Sequence, residues 1–366
     1  MWKARINKIY IVIIASCLCV SCSGDTDTGS WVITGDVLSA TNSSPEENIA
    51  VKDPSVVRYN GHYHLFYTAR SVVSPGEGEK YRIGCGYRSA ATIEGLRDAK
   101  RISVDSLAGR TVIAPQVFYF EPQQLWYLIA HSPAKAGDLS RLEPVYLTNP
   151  DIENPYGWSK AKPLLSTENE KFRIDFWVIC DEKTAYLFYA YQTGKLFRLS
   201  CSIGDFPEGF NNSKEELALD ENHFNEPDGW KFFEAAHIYR IKESGTYLAL
   251  LEGARPHPLR KKDVDARNRF IFAMTADNLN GKWQRPEKPG KAFFAEASDL
   301  YDPDGNKTSY TAVSHPELIR SGYNQMLEIN DLHLRMIFQT LNGTEIPDTF
   351  QYAALPWQLM LMQNFR

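Results

Sequence analysis

Apolar and polar positions along this chain recur in pairs of short strands, with no heptads and no long run of 3.6-residue period. The unit is a polar residue, an apolar strand, a short turn, and a second apolar strand led by Tyr or Trp. It reads "KDPSVVRYNGHYHLFYTA" from Lys52, with Asn60-Gly61 as a hairpin turn. It returns as "APQVFYFEPQQLWYLIA" from Ala114, "IDFWVICDEKTAYLFYA" from Ile174 and "FEAAHIYRIKESGTYLALLEG" from Phe233. A weaker fifth copy is "SHPELIR" from Ser314 with "LHLRMIFQT" from Leu332. The lead polar positions are Asp53, Gln116 (or its neighbour Pro115), Asp175, Glu234 and His315; the first four are spaced by roughly sixty residues. Several strands per unit at that period predict an all-β, five-bladed β-propeller, each lead residue opening the innermost strand of its blade.

This arrangement accounts for an otherwise awkward residue. Asp175 heads the run "FWVIC", which reads as a buried strand, and a lone buried carboxylate costs several kcal/mol, on the order of known desolvation penalties. At the rim of a central channel it avoids that cost. Asp53 and Glu234 take the equivalent place on other blades, so three acids remote in sequence converge. Singly, each has an ordinary role: Asp53-Pro54 as a turn dipeptide, Asp175 as an acceptor at a strand entry, Glu234 as a surface partner of Lys231. Their shared register argues for a site. Converging carboxylates suit glycoside hydrolysis, where one acid donates a proton and another activates water. They would also suit a divalent cation. No Gly-rich phosphate loop, HExxH pattern or supportable Ser–His–Asp set is present in the sequence.

Composition changes this picture little. The 366 residues carry a net charge of −5, which gives no reason to propose nucleic acid or an anionic membrane surface as partner. The amino terminus says more. Lys3, Arg5 and Lys8 precede an apolar run, Ile9 to Val20, too short to span a bilayer. It ends in "CLCVSCSGDTDTG", similar to a bacterial lipoprotein signal. Residues 1–22 are expected as that signal with Cys22 lipidated (Cys17 being the alternative), residues 23–31 as a polar tether and 32–366 as one catalytic propeller. The protein is then expected on the bacterial outer membrane, at its periplasmic or outer face, held only by its lipid, and monomeric. Cys85, Cys180 and Cys201 remain, an odd and scattered set that is no disulfide framework.

The motifs "VKDPSVVRYNGHYHLF", "APQVFYF", "LTNPDIENPYGW", "IDFWVICD", "GKLFR", "FEAAHIY", "SHPELIRSGYNQ" and "LPWQL" resemble, in order and spacing, those of glycoside hydrolase family 62, the α-L-arabinofuranosidases related to family 43. The resemblance implies a five-bladed propeller that releases arabinose side chains from arabinoxylan or arabinan with inversion. It implies Asp53 as general base, Glu234 as general acid and Asp175 as the carboxylate that tunes and orients the acid. It places Lys52, Gln116 and Tyr352 on or beside the arabinose pocket, and His315 beside a calcium ion deep in the channel. No organic cofactor is implied.

The sequence departs from the family pattern at Arg173, at Tyr191 and Gln192, at Phe272, Ala273 and Met274, at Pro316 and at Ala353. The acids are intact, so bond cleavage is better supported than the identity of the sugar. An Arg173 near the mouth would favour a charged or differently branched sugar. Two other readings stand beside the first: an inverting enzyme of the same clan acting on another furanoside or a xyloside, and a surface glycan-binding propeller without turnover.

Overall fold

The computed structural model describes residues 30–364, apart from 41–44, 75–79, 167–172, 192, 228, 259–262, 287–292, 331–332 and 344–350. The expected signal, Cys22 and all but the end of the tether lie outside the described residues. Trp31, expected at the end of the tether, already belongs to a strand, Trp31–Leu38.

Short apolar runs bounded by turns form five sheets around one axis. Their innermost strands are Ala50–Tyr59, Ile113–Phe120, Ile174–Cys180, Lys231–Ile241 and Ser314–Leu318, which head blades 1 to 5. The hairpin expected at Asn60-Gly61 is present, with φ of 45° and 82°. The ring is closed by the chain's two ends: Trp31–Leu38 runs antiparallel to Gln358–Asn364 inside blade 5. Cys180 is fully buried in its strand, and Cys85, Cys180 and Cys201 are free thiols.

Each innermost strand breaks its register at the same step. One residue there turns left-handed: Asp53 (φ 50°), Ala114 (47°), Asp175 (54°), Ala235 (54°) and His315 (43°). These β-bulges turn a backbone N–H out of its own ladder. A neighbouring side chain accepts it in every case. Thr68 Oγ1 takes the N–H of Ala114 (2.8 Å), and His131 Nε2 that of Asp175 (2.7 Å). Asp175 Oδ2 takes Ala235 (2.8 Å), Glu252 Oε2 takes His315 (3.1 Å) and Gln339 Oε1 takes Asp53 (3.0 Å). Every bond runs from one blade to the next. Pro54, Pro115 and Pro316 follow three of the bulge residues, where a missing N–H leaves the ladder intact.

The shared register therefore needs a correction. Asp53 and Asp175 occupy one step, with His315. Glu234 stands one residue ahead of its blade's bulge residue, Ala235, and Gln116 two residues after Ala114. A bulge sets two residues against one, which relaxes the strict alternation of sides, so Glu234 still reaches the mouth.

A second ring lies below the first. Val117 donates its N–H to Ser55 Oγ (3.1 Å), Val178 to Gln116 Oε1 (2.7 Å), Leu318 to the Tyr239 hydroxyl (3.0 Å) and Val56 to Glu317 Oε1 (3.0 Å). Gln116 Nε2 also donates to the Val178 carbonyl (2.7 Å). Below that, residues 321–329 cross the far end of the channel. Tyr323, Gln325, Leu327 and Ile329 offer carbonyls to the N–H groups of Tyr119, Cys180, Arg240 and Lys242. The far end is thus spanned by backbone bonded to blades 2, 3 and 4.

Gln116→Leu keeps volume but strips both partners from Val178, which is fully buried. Urea unfolding should show a loss of about 1–3 kcal/mol for each group left unpaired; an unchanged midpoint would remove the blade-clasp role.

Candidate active site

Three carboxylates meet at the head of the channel around one imidazole. His315 Nδ1 lies 3.5 Å from Asp53 Oδ1, and its Nε2 lies 3.6 Å from Glu234 Oε1 and 3.9 Å from Asp175 Oδ2. The bulge accounts for this convergence: the left-handed turn at Asp53, Asp175 and His315 aims blades 1, 3 and 5 at one point. Asp53 and Glu234 are 7% and 8% exposed, at the floor of the mouth rather than in the core.

Lys52 precedes Asp53, with Nζ 3.6 Å from Asp53 Oδ1 and 5.5 Å from the centre of the Tyr352 ring. The Arg269 guanidinium lies 5.5 Å from the same ring. Tyr352, 40% exposed, is thus a surface ring between two cations beside the acids. Gln116 lies lower; its amide is spent on Val178, so it holds a blade junction and is not free for a sugar.

Sequence reasoning missed Arg269 and Glu252. Arg269 Nη1 donates to Glu234 Oε1 and to Glu252 Oε1, both at 2.7 Å. Glu252 accepts in turn from Ser314 Oγ (2.5 Å), and Gln339 Nε2 donates to Ser314 Oγ (2.8 Å). Because Gln339 also takes the N–H of Asp53, a buried chain of hydrogen bonds joins the Glu234 carboxylate to the backbone of Asp53. The signal for Glu252 was present: an acid ends the apolar run "YLALLEG", as Asp175 begins another. Glu234 pairs with Arg269, while Lys231, its expected partner, lies over the Phe224 ring.

The electrostatics follow from burial and these partners. Burial favours a neutral His315, but Asp53 and Asp175, with the Glu234 hydrogen bond, push it up to about 10, so the ring is a cation. Burial raises Asp53, yet Lys52 and His315 outweigh it and hold the carboxyl below its usual range. For Glu234 burial is again opposed, here by Arg269 and His315, and the group is held low. Asp175 goes the other way: burial, only partly offset by His315, together with repulsion from Glu234 and Asp53, pushes it up to about 7. His131 accepts the Asp175 N–H through Nε2, and burial takes it down to about 4, so it is a neutral prop. Two carboxyls whose environments push them apart divide into a proton holder and an anion.

The fit of a calcium ion can be judged from the donors. Asp175, Glu234 and His315 each bring one ligand atom within 4.8 Å of the others, and Asp53 Oδ1 is buried without a hydrogen bond. Carboxylate oxygens suit calcium. Beneath them a cavity of about 20 Å³, lined also by Gln116, Trp177 and His237, has room for about one water-sized particle. Deeper oxygens are committed: Gln116 to Val178, and Glu317 to Ser55, Val56 and Tyr239. The carboxylate oxygens fit one hard cation at the level of His315, whose ring must lose a proton to join them, and not deeper.

The departures lie elsewhere. Arg173 is tied to Glu215 (3.4 Å) and the Tyr191 hydroxyl (3.3 Å), with Tyr189 also donating to Glu215 (2.7 Å). It is a paired cation, which removes the reason to expect a charged sugar. Phe272 and Met274 are buried in blade 4, Phe272 against Trp230. A larger cleft of about 600 Å³ opens at the catalytic end of blade 4, lined by Phe224, Glu226, Arg255, His257 and Asn268.

A family model described as glycosyl hydrolase family 62 matches residues 30–363. The chain is similar to "Alpha-L-arabinofuranosidase C" of Cellvibrio japonicus, 29% identical over 333 residues, covering 91% of this chain and 46% of that protein. It thus spans about half the length of that relative. It is similar to the catalytic domain of a Coprinopsis cinerea GH62 α-L-arabinofuranosidase: 29% identity, TM-score 0.72, covering 92% of this chain and 97% of the other. It is also similar to the Podospora anserina α-L-arabinofuranosidase solved with cellotriose: 27% identity, TM-score 0.72, covering 93% and 98%.

Carboxyl ¹³C NMR tests the division of charge. Asp175 should titrate with a midpoint near 7, and Glu234 below an exposed glutamate. Arg269→Gln removes the cation that favours the Glu234 anion, so its midpoint should rise. An unmoved Glu234 would refute the role given to Arg269.

Proposed function

The chain belongs to glycosyl hydrolase family 62, and from that premise we propose an exo-acting, inverting α-L-arabinofuranosidase that removes single arabinose side chains from arabinoxylan or, second, arabinan. The observation that carries this is the meeting of Asp53, Asp175 and Glu234 around His315 at the one mouth of a channel whose far end is crossed by backbone. Entry from one end suits removal of terminal units. The 600 Å³ cleft beside the mouth is of a size to take several sugar units of a main chain.

Asp53, ionised and held by Lys52, takes a proton from the attacking water. Glu234 delivers a proton to the departing oxygen. In the empty site that proton rests on Asp175, whose carboxyl is the raised one. Ligand atoms of Asp175 and Glu234 lie within 4.8 Å of each other, so the proton held on Asp175 has a short way to Glu234. Asp175 also fixes the strand by accepting the Ala235 N–H, next to Glu234. The His315 ring stands between Asp53 and Glu234, contacting one through each nitrogen. A ring interposed between the two acids is compatible with the wider class of carboxyl pairs, roughly 6.5–9.5 Å apart, which leaves room for water and inverts configuration.

Calcium, if bound, would be held by the carboxylate oxygens of Asp175 and Glu234, with His315 a ligand only after its ring gives up a proton, and would supply positive charge at the ring centre. We further propose that residues 1–22 form a lipoprotein signal, that Cys22 is lipidated, and that the monomeric protein sits on the outer membrane.

Incubation with wheat arabinoxylan, followed by ¹H NMR, should show free arabinose, with the β anomer appearing first. Asp53→Ala and Glu234→Ala should each lower kcat by about 10²–10⁴-fold. No arabinose from the native protein, or full activity in Glu234→Ala, would sink the reading. Calcium should raise Tm by a few degrees, with reversal by a chelator, as binding to the folded state requires; an unchanged Tm counts against the ion.

A further inference from the structure

The polarity of the first strand decides which way the protein faces. Trp31 pairs with Asn364 and Leu38 with Leu359. Gln358–Asn364 is in turn antiparallel to Arg335–Thr340, whose Met336 pairs with Leu318 and whose Gln339 pairs with Ser314. Trp31 therefore lies at the Leu318 end of blade 5, and Leu38 at the His315 end. The chain enters the propeller on the face opposite the carboxylates.

We propose that the anchored protein stands with this far face toward the bilayer and its catalytic mouth outward. This rests on the lipidation proposed for Cys22. Eight residues separate Cys22 from Trp31, and the span from one to the other reaches at most about 30 Å when fully extended. The eight residues of Trp31–Leu38 span the height of the blade, about 26 Å at strand rise, and the loops of the catalytic face stand beyond that. A mouth-down arrangement would need a taut tether along the whole side of the molecule. The mouth-outward arrangement needs none.

The hairpin turns of the far face supply no basic patch for an anionic leaflet: they carry Glu121, Asp181, Glu182 and Glu243 against Lys183 and Lys242. The lipid therefore holds the protein, and the entry point of the first strand orients it. A polymer arriving from solution meets the mouth directly.

The test uses the full-length lipidated chain inserted into phosphatidylcholine vesicles carrying an acceptor dye on the lipid headgroup. A donor dye is placed at Glu243→Cys, in a far-face turn, or at Asn225→Cys, in the loop before the innermost strand of blade 4, each in a Cys201→Ala background. Flotation with the vesicles, lost in Cys22→Ala, reads anchoring alone; no flotation of the native chain overturns the anchoring and the orientation together. Given flotation, energy transfer from position 243 should exceed that from position 225 at least twofold. Equal transfer, or the reverse order, overturns the orientation while leaving the anchoring established.

Discussion

A left-handed residue at one fixed step of five innermost strands is the constraint on which the rest of this structure depends. Such a conformation costs a non-glycine residue on the order of 1–2 kcal/mol, and here it recurs at Asp53, Ala114, Asp175, Ala235 and His315. It persists because the surroundings over-determine it. Each turned N–H must find an acceptor, since a buried unpaired donor costs about as much again. Each finds one on an adjacent blade, so the strain and the ring closure stabilise each other. The same turn points Asp53, Asp175 and His315 at one spot. Where the acceptor is itself one of the three converging acids, as with Asp175 beneath Ala235, strand geometry and the site share one carboxylate.

The charges follow the same logic. Asp53, Glu234, Glu252 and Glu317 are buried beside Lys52, Arg269, Arg320 and His315. Buried ion pairs add little net stability against apolar groups of equal volume, but removing one partner is severe. Their value here lies in fixing proton positions. Arg269 bridges Glu234 and Glu252 and keeps Glu234 an anion; Asp175, with no comparable cation, is left to hold the proton. His315 balances the centre. A calcium ion would add charge of the same sign in the same place.

The departures from the family pattern sort by position. Arg173 is absorbed by Glu215, Tyr189 and Tyr191, and Phe272 and Met274 by the apolar packing of blade 4. Pro316 sits in a bulge, where its missing N–H is no loss. Arg173 takes Glu215 as its ion-pair partner and not one of the three acids, and the surface ring of Tyr352 remains beside them.

The five-fold repeat, the strands and the rim positions of Asp53, Asp175 and His315 were legible in the sequence, because strands buried on both faces appear directly as short apolar runs, each led by a polar residue and ended by a turn. The resemblance to family 62 was legible too, through motifs quoted whole. What the sequence left open is everything decided between blades. One-residue offsets at the bulges, which put Glu234 ahead of Ala235, leave alternation almost untouched. The Gln116 amide could only be known as a clasp once Val178 lay opposite it, 62 residues away. The partners that set the charge of Glu234 are Arg269 and His315, brought to it by ring closure and not by spacing. Sequence named the acids; the geometry of neighbouring blades decided which one holds the proton.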